Sequence, residues 1–410
     1  MIVGGAQRIA LETAADLTTR GHEAPIWCGP QTGAEGSLME EARGRGITVR
    51  IFPDLVRQID PVRDLAAWLA LTRALREASP DWLHTHSSKA GILGREAARQ
   101  ARLPRVAHTV HGFGFTPRTA SLVRSLYVRL ERREARGRRA PRQSGHGHDE
   151  LAAVRSAEPA IRMIFVSPSD LERALELRII EPGQGLLIPP GIRLLPREAD
   201  DGLARHAGQL RASLGWGPQH IVGGFLGRLS AQKAPEVLLR AATRLSSADG
   251  SDLRWLFVGD GPLAERLRRE SNALAGQGSG GDRLIHWAGL QEDPAPYLAA
   301  MDFLCLPSLW EGLPLTLMEA MVMGLPVIAS DLPGVRALTR LPGGPPPAGP
   351  PVILTRAGDD LELAERIREL VRELPRVREM ALCNRPWARE AFGLPRMLKQ
   401  IRAVYEGALS

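Results

Sequence analysis

Residues Phe303 to Ser330 read FLCLPSLWEGLPLTLMEAMVMGLPVIAS, and the order of elements within them sets the fold class. Phe303–Leu306 and Val327–Ser330 are short apolar runs bounded by Pro and Gly, which is how strands buried on both faces read. Between them Pro314 is suited to open a helix running to about Met323, and Gly324-Leu325-Pro326 then stops it. Strand, loop, helix and strand in that order make a βαβ unit, which implies a parallel sheet.

The same alternation extends outward in both directions. Upstream lie a strand at Ile221–Leu226, a helix at Pro235–Ser246, a strand at Leu253–Val258, a helix at Pro262–Leu274, a strand at Leu284–Trp287 and a short helix near Pro294–Met301. The N-terminal half shows a second series: a helix over 62–78, a strand at Trp82–Thr85, a helix over 88–102 and a strand at Arg105–Val110. Two such series predict two doubly wound α/β domains, over residues 1–195 and 196–390. The polar, proline-bearing stretch from Pro189 to about Gly217 reads as their connection, and helical patterns at 359–373 and 394–409 close the chain.

Composition narrows the function classes. The 410 residues are 44% hydrophobic and 24% charged, ordinary content for two folded cores. Cys28, Cys305 and Cys383 stand far apart in no ligand-like pair, which indicates neither a disulfide framework nor a zinc cluster and fits a reducing cytoplasm. No apolar run approaches the ~20 residues that span a bilayer. The net charge of +7 concentrates between Arg118 and Arg142, where arginines outnumber the two acids Glu131 and Glu134. Leu122, Val123, Leu126, Tyr127 and Leu130 recur there at helical spacing, so the segment is either a helix lying on an anionic membrane surface or a domain helix with a solvated basic face. Nucleic acid is not indicated, since no recognition motif or stacking set accompanies the charge.

The chemistry returns to Glu311 and Glu319. Gly312 and Pro314 keep Glu311 in a loop, whereas Glu319 falls inside the following helix. The N-terminus of that helix suits an anion such as a diphosphate, and the flanking carboxylates suit sugar hydroxyls. A nucleotide sugar combines ribose, diphosphate and sugar. Lysine occurs only at Lys89, Lys233 and Lys399 in an arginine-rich chain, which singles out Lys233 for phosphate contact. His84, His86, His108 and His111 fall at or near strand ends without an acidic or cysteine partner, so no metal site is expected.

Six segments stand out together: Gly4-Gly5-Ala6-Gln7-Arg8, His84-Thr85-His86-Ser87-Ser88-Lys89-Ala90-Gly91, His108-Thr109-Val110-His111-Gly112-Phe113, Gly227-Arg228-Leu229 with Lys233, Val258-Gly259-Asp260-Gly261-Pro262, and the run from Ser308 to Val327. In this order they resemble the motifs of the retaining glycosyltransferases of family 4, which have the GT-B fold of two Rossmann-like domains facing a cleft. The resemblance implies a sugar transferred from a nucleotide diphosphate donor to a saccharide or lipid-linked saccharide acceptor of a surface polysaccharide. It also implies a cytoplasmic enzyme, peripheral on the inner face of the membrane, with no cofactor. Glu319 would bind the ribose, Glu311 the transferred sugar, and Arg228 and Lys233 the diphosphate. The backbone through Gly312, Leu313, Pro314 and Leu315 would meet the phosphate oxygens. His111 would lie beside the reaction centre, with Gly4 and Gly5 allowing close backbone approach. Gly259, Asp260 and Gly261 would sit near the nucleotide or serve as turn residues only. The last helix, over 391–410, would cross back to the first domain. No Asp-x-Asp triplet occurs, so fixed cations would replace a metal.

The chain departs from the family in places. Pro190 replaces the usual Asn before Gly191, Ala337 stands where an acid is usual, a segment from about Arg136 to Arg155 looks inserted, and a proline-glycine run fills Pro342 to Pro351. Only Met1-Ile2-Val3 precede Gly4, so an in-frame upstream start adding roughly 10 residues of strand and loop is expected. Two other readings remain open: a catalytically silent nucleotide-sugar-binding relative, and a GT-B nucleotide-sugar epimerase.

Overall fold

The computed structural model describes residues 5–30, 37–56, 58–113, 121–135, 160–193, 199–248, 252–275, 284–338 and 352–407. The chain divides into two compact units, Met1–Gly191 with Pro395–Ser410, and Ile192–Leu394. Each is an α/β unit with parallel strands.

In the first unit, β1 (Ile26–Cys28) pairs β2 (Val49–Ile51), and β3 (Leu83–His86), β4 (Arg105–Val110), β5 (Ala160–Phe165) and β6 (Gly185–Leu187) form a four-stranded parallel sheet in that order. The helix Pro61–Ala78 begins one residue earlier than expected because Pro61 is already set for helical φ and Asp60 accepts hydrogen bonds from Val62 N and Arg63 N at 3.1 and 3.2 Å. The helix Ser88–Ala101 lies close on the sheet through two glycines. A Cβ on Gly91 would sit 2.3 Å from the His108 ring, and one on Gly94 would sit 2.8 Å from Thr85.

The helix Ser121–Ala135 is turned the opposite way to an ordinary amphipathic helix at its ends. Its acids point inward: Glu131 meets Arg95 at 2.6 Å with both side chains buried, and Glu134 meets Arg99 at 3.3 Å. Apolar side chains of its first two turns point outward, with Leu122 84%, Val123 42% and Leu126 56% exposed. The cause lies in the neighbouring helix Ser88–Ala101, whose buried Arg95 and half-buried Arg99 need carboxylate partners.

In the second unit, β7 (Ile221–Leu226), β8 (Leu253–Val258), β9 (Ile285–Gly289), β10 (Phe303–Leu306), β11 (Val327–Ser330) and β12 (Ile353–Thr355) form one parallel sheet in the order β12-β11-β10-β7-β8-β9. The six residues of β8 are all buried, as a strand covered by helices on both faces must be. Gly223 and Gly224 of β7 leave room for neighbours, since added Cβ atoms would fall 2.5 Å from Trp255 and 2.0 Å from Met301.

Two stretches differ from the sequence reading. Within the expected connection Pro189–Gly217, residues Ala199–Ser213 form a helix, held to the sheet where Arg211 meets the buried Asp302 at 2.8 Å. Residues Leu374–Phe392 form a helix that runs through Pro386, a residue that ordinarily breaks the pattern. Its buried face carries Trp387, Ala388, Ala391 and Phe392. Arg385 and Arg389 both donate to Val322 O, capping the C-terminal end of the helix Leu315–Met323.

Candidate donor and histidine sites

Strand order in the second unit reverses between β7 and β10: β8 and β9 build outward on one side, β11 and β12 on the other. Open parallel sheets bind ligands outside the carboxyl ends of the strands at such a switch point. The loops that follow β7, β8 and β10 are the three that carry Gly227-Arg228-Leu229 with Lys233, Gly259-Asp260-Gly261, and Ser308 to Pro314.

Backbone bonds lock these loops together. Gly227 N donates to Val258 O at 3.0 Å, Leu229 N to Asp260 O at 2.9 Å and Leu263 N to Leu229 O at 3.0 Å. Leu309 N donates to Gln232 O at 2.8 Å, and Gln232 Nε2 to Trp310 O at 3.1 Å. Gly259, at φ +128°, is demanded twice over, because a Cβ there would also fall 2.0 Å from Gly227 O. The glycines of this loop therefore have a packing role that the sequence alone left open.

Across the switch point, Lys233 Nζ lies 2.6 Å from Glu311 Oε1, with 17% and 6% of the two side chains exposed. Ser308, fully buried, donates its hydroxyl to the same oxygen at 2.6 Å. The structure thus joins the residue expected on the diphosphate to the one expected on the sugar. Ser308 had no role in the sequence reading; its burial beside a carboxylate is the signal that identifies it. The helix Leu315–Met323 starts one residue later than expected, with Pro314 at the cap position and no side-chain cap. That leaves its first N–H groups for an anion. Glu319 is half-buried in this helix, four residues after its first turn begins.

In the first unit, His86 and His111 close the carboxyl ends of β3 and β4. His86 Nδ1 and His111 Nε2 share a hydrogen bond of 2.9 Å, and His84 stacks on His86 with centroids 4.3 Å apart. His84 is tied in turn to Tyr405 Oη at 2.5 Å and Thr109 Oγ1 at 2.7 Å. Enclosure by protein pushes His84, His108 and His111 well below the usual imidazole range and His86 down to about 4, so these rings are neutral near pH 7. Among the described residues no group of His, Cys, Asp and Glu is arranged to hold a metal ion. Gly5 is exposed at the start of the helix Gly5–Thr19, and Gly4 lies outside the described residues.

Residues 220–373 match the family "Glycosyl transferases group 1", and residues 4–191 match "Glycosyl transferase 4-like domain". The chain is a GT-B glycosyltransferase of family 4 type. This glycosyltransferase is 29% identical, over 83% of its length and 79% of the relative's, to an Escherichia coli UDP-Gal:alpha-D-GlcNAc-diphosphoundecaprenol alpha-1,3-galactosyltransferase. It is 27% identical, over 95% and 83% of the two chains, to the D-inositol 3-phosphate glycosyltransferase of Nocardia farcinica. Among solved structures, Anabaena HepE in complex with UDP and glucose superimposes with a TM-score of 0.73 at 19% identity, covering 98% of this chain and 96% of that one. No helix among the glycosyltransferase's described residues is long and apolar enough to cross a membrane.

Proposed function

We propose that this glycosyltransferase moves a hexose, with retention, from a UDP-sugar to a lipid-linked saccharide of a surface polysaccharide, without a divalent metal. The observation that carries this reading is the Lys233–Glu311 pair at the switch point, beside an uncapped helix N-terminus. The donor and acceptor classes are those named for the Escherichia coli relative, and the Anabaena structure holds UDP and glucose.

In this reading Arg228, Lys233 and the helix N-terminus hold the diphosphate and stabilise the charge that develops on it as the glycosidic bond breaks. Lys233 has three donors, so one can stay on Glu311 while the others meet phosphate oxygens. Glu311 takes hydroxyls of the sugar and Glu319 those of the ribose. Gly312, Leu313, Pro314 and Leu315 line the phosphates, and Gly259, Asp260 and Gly261 border the nucleotide. The acceptor hydroxyl attacks the anomeric carbon from the face the diphosphate leaves. Its proton passes to a phosphate oxygen, with His111 beside the reacting atoms as a neutral ring; Gly4 and Gly5 admit donor and acceptor to the backbone.

The helix Ser121–Ala135 supplies the membrane contact in this reading, which places the enzyme on the inner face of the cytoplasmic membrane. Leu122, Val123 and Leu126 are exposed, Arg129 and Arg133 are exposed beyond them, and the acids of the helix are turned inward. An apolar tip backed by arginine suits an anionic lipid surface.

A thermal-shift panel of nucleotide sugars tests the donor, since a ligand at a hundred times its dissociation constant adds ~2.7 kcal/mol. A UDP-hexose should raise the unfolding temperature in the presence of EDTA. If no UDP-sugar does so, the donor assignment is wrong.

A further inference from the structure

We infer that Ser308 and Gly334 are positioning residues that set the Glu311 carboxylate for the donor sugar, which rests on the role proposed above for Glu311. Both contacts to the carboxylate, Ser308 Oγ and Lys233 Nζ at 2.6 Å each, fall on Oε1. Oε2 is thereby the oxygen presented to a ligand hydroxyl. A carboxylate on a flexible side chain loses rotamer freedom when it binds a sugar; here a buried hydroxyl and an ammonium have already removed that freedom.

Gly334 acts on the backbone of the same residue. It is buried in the short helix Pro333–Ala337 that follows β11, the strand next to β10 in the sheet. A Cβ at Gly334 would lie 1.8 Å from Gly312 O and 2.7 Å from Glu311 O. Backbone cannot fold away from such a contact as a side-chain tip can, so any larger residue would push the Gly312 carbonyl, and with it the neighbouring Glu311 carbonyl, by about 1 Å. Displacements of that size at a reacting centre cost about a hundredfold in rate. In the sequence, Pro333-Gly334-Val335 reads only as a turn; the sheet order is what brings it under the donor loop.

The test measures the affinities of UDP, UDP-galactose, UDP-glucose and UDP-N-acetylglucosamine by calorimetry on the full chain, together with UDP release. Ser308→Ala should leave UDP affinity within twofold while lowering the preferred UDP-sugar's affinity and turnover roughly tenfold, the scale of one hydrogen bond to a charged group. In a Glu311→Gln background the same substitution should change UDP-sugar affinity less than twofold, because its effect passes through Glu311. Gly334→Ala should lower the urea midpoint of the second unit, as its backbone overlap requires, and under conditions where that unit is still folded should lower turnover about a hundredfold; near-parental turnover there overturns the role of Gly334. Parental UDP-sugar affinity and turnover in Ser308→Ala, or an undiminished loss in the Glu311→Gln background, overturns the positioning role. A parent protein that prefers no UDP-sugar over UDP removes the Glu311 reading itself, and the inference with it.

Discussion

His86 Nδ1 and His111 Nε2 lie 2.9 Å apart at the carboxyl ends of adjacent strands, an arrangement of two rings that share one proton in their contact. The contact is built for neutral imidazoles. Around it stand His84, Thr109 and Tyr405, the charge of Arg95 further disfavours a charged His108, and among the described residues no carboxylate is hydrogen-bonded to these rings.

A pH dependence follows from this pair. Its folded-state pKa values lie below the unfolded value near 6.5, so the stability that these rings contribute is fully present above pH 6.5 and is lost as pH falls toward about 4 for His86. Urea unfolding of the parent from pH 7 to pH 4 should show that loss, and His86→Gln should flatten it. An unchanged slope in the variant would mean that other groups dominate acid sensitivity.

Breaking the pair between Lys233 and Glu311 should be costly. Both side chains are largely buried, so Lys233→Met leaves an unpaired carboxylate and should destabilise the second unit by about 3 kcal/mol. Adding Glu311→Gln to that variant should restore most of the loss. Chemical denaturation of the four proteins of this cycle measures it, and simple additivity would show that the ion pair contributes nothing of its own.

Gly259→Ala should destabilise by roughly 2–4 kcal/mol, since it combines an unfavourable φ with a contact against Gly227 O that backbone cannot relieve. The comparison is Gly44→Ala, where an added Cβ meets nothing within 4 Å. Equal urea midpoints for the two variants would contradict the close approach of the loops after β7 and β8.

The two glutamates should separate in their effects. Glu319→Ala should weaken binding of free UDP, whereas Glu311→Gln should abolish transfer while largely keeping UDP bound, and both the parent's activity and its UDP affinity should persist in excess EDTA. Calorimetry with UDP alone distinguishes the two residues. Activity lost to EDTA and restored by magnesium or manganese would replace the fixed-cation account with a metal-dependent one.

Membrane attachment should depend on the helix Ser121–Ala135. In vesicle sedimentation the parent should bind bilayers rich in anionic lipid more than neutral ones, and Leu122→Asp with Leu126→Asp should lose that binding without losing UDP affinity. Retained sedimentation in the double variant would move the contact elsewhere.

Much of the fold was legible because strands buried on both faces leave predominantly apolar runs. Ile221–Leu226, Leu253–Val258, Phe303–Leu306 and Val327–Ser330 have the same bounds in the structure as in the pattern. The helix Leu374–Phe392 was not legible, because Pro386 looks like a breaker until the burial of Trp387 and Phe392 is known. The helix Ala199–Ser213 was masked by its polar composition; its anchor is Arg211 on Asp302, ninety-one residues away.

The sequence by itself determined the alternation of strand and helix, the family, and which residue types stand at each strand's carboxyl end, because periodicity, turn residues and motif spacing are local properties. Tertiary structure alone decided which distant side chains meet. Lys233 and Glu311 are 78 residues apart, and nothing in their neighbours says that they pair. Glu131 and Glu134 turn inward to meet the buried Arg95 and the half-buried Arg99, and this leaves Leu122 and Leu126 at the surface against their own periodicity. Gly334 looks like a turn residue until strand order sets it against the Gly312 carbonyl. In each case the deciding quantity is the cost of burying a charge or overlapping two atoms, and that cost depends on which groups the fold brings together.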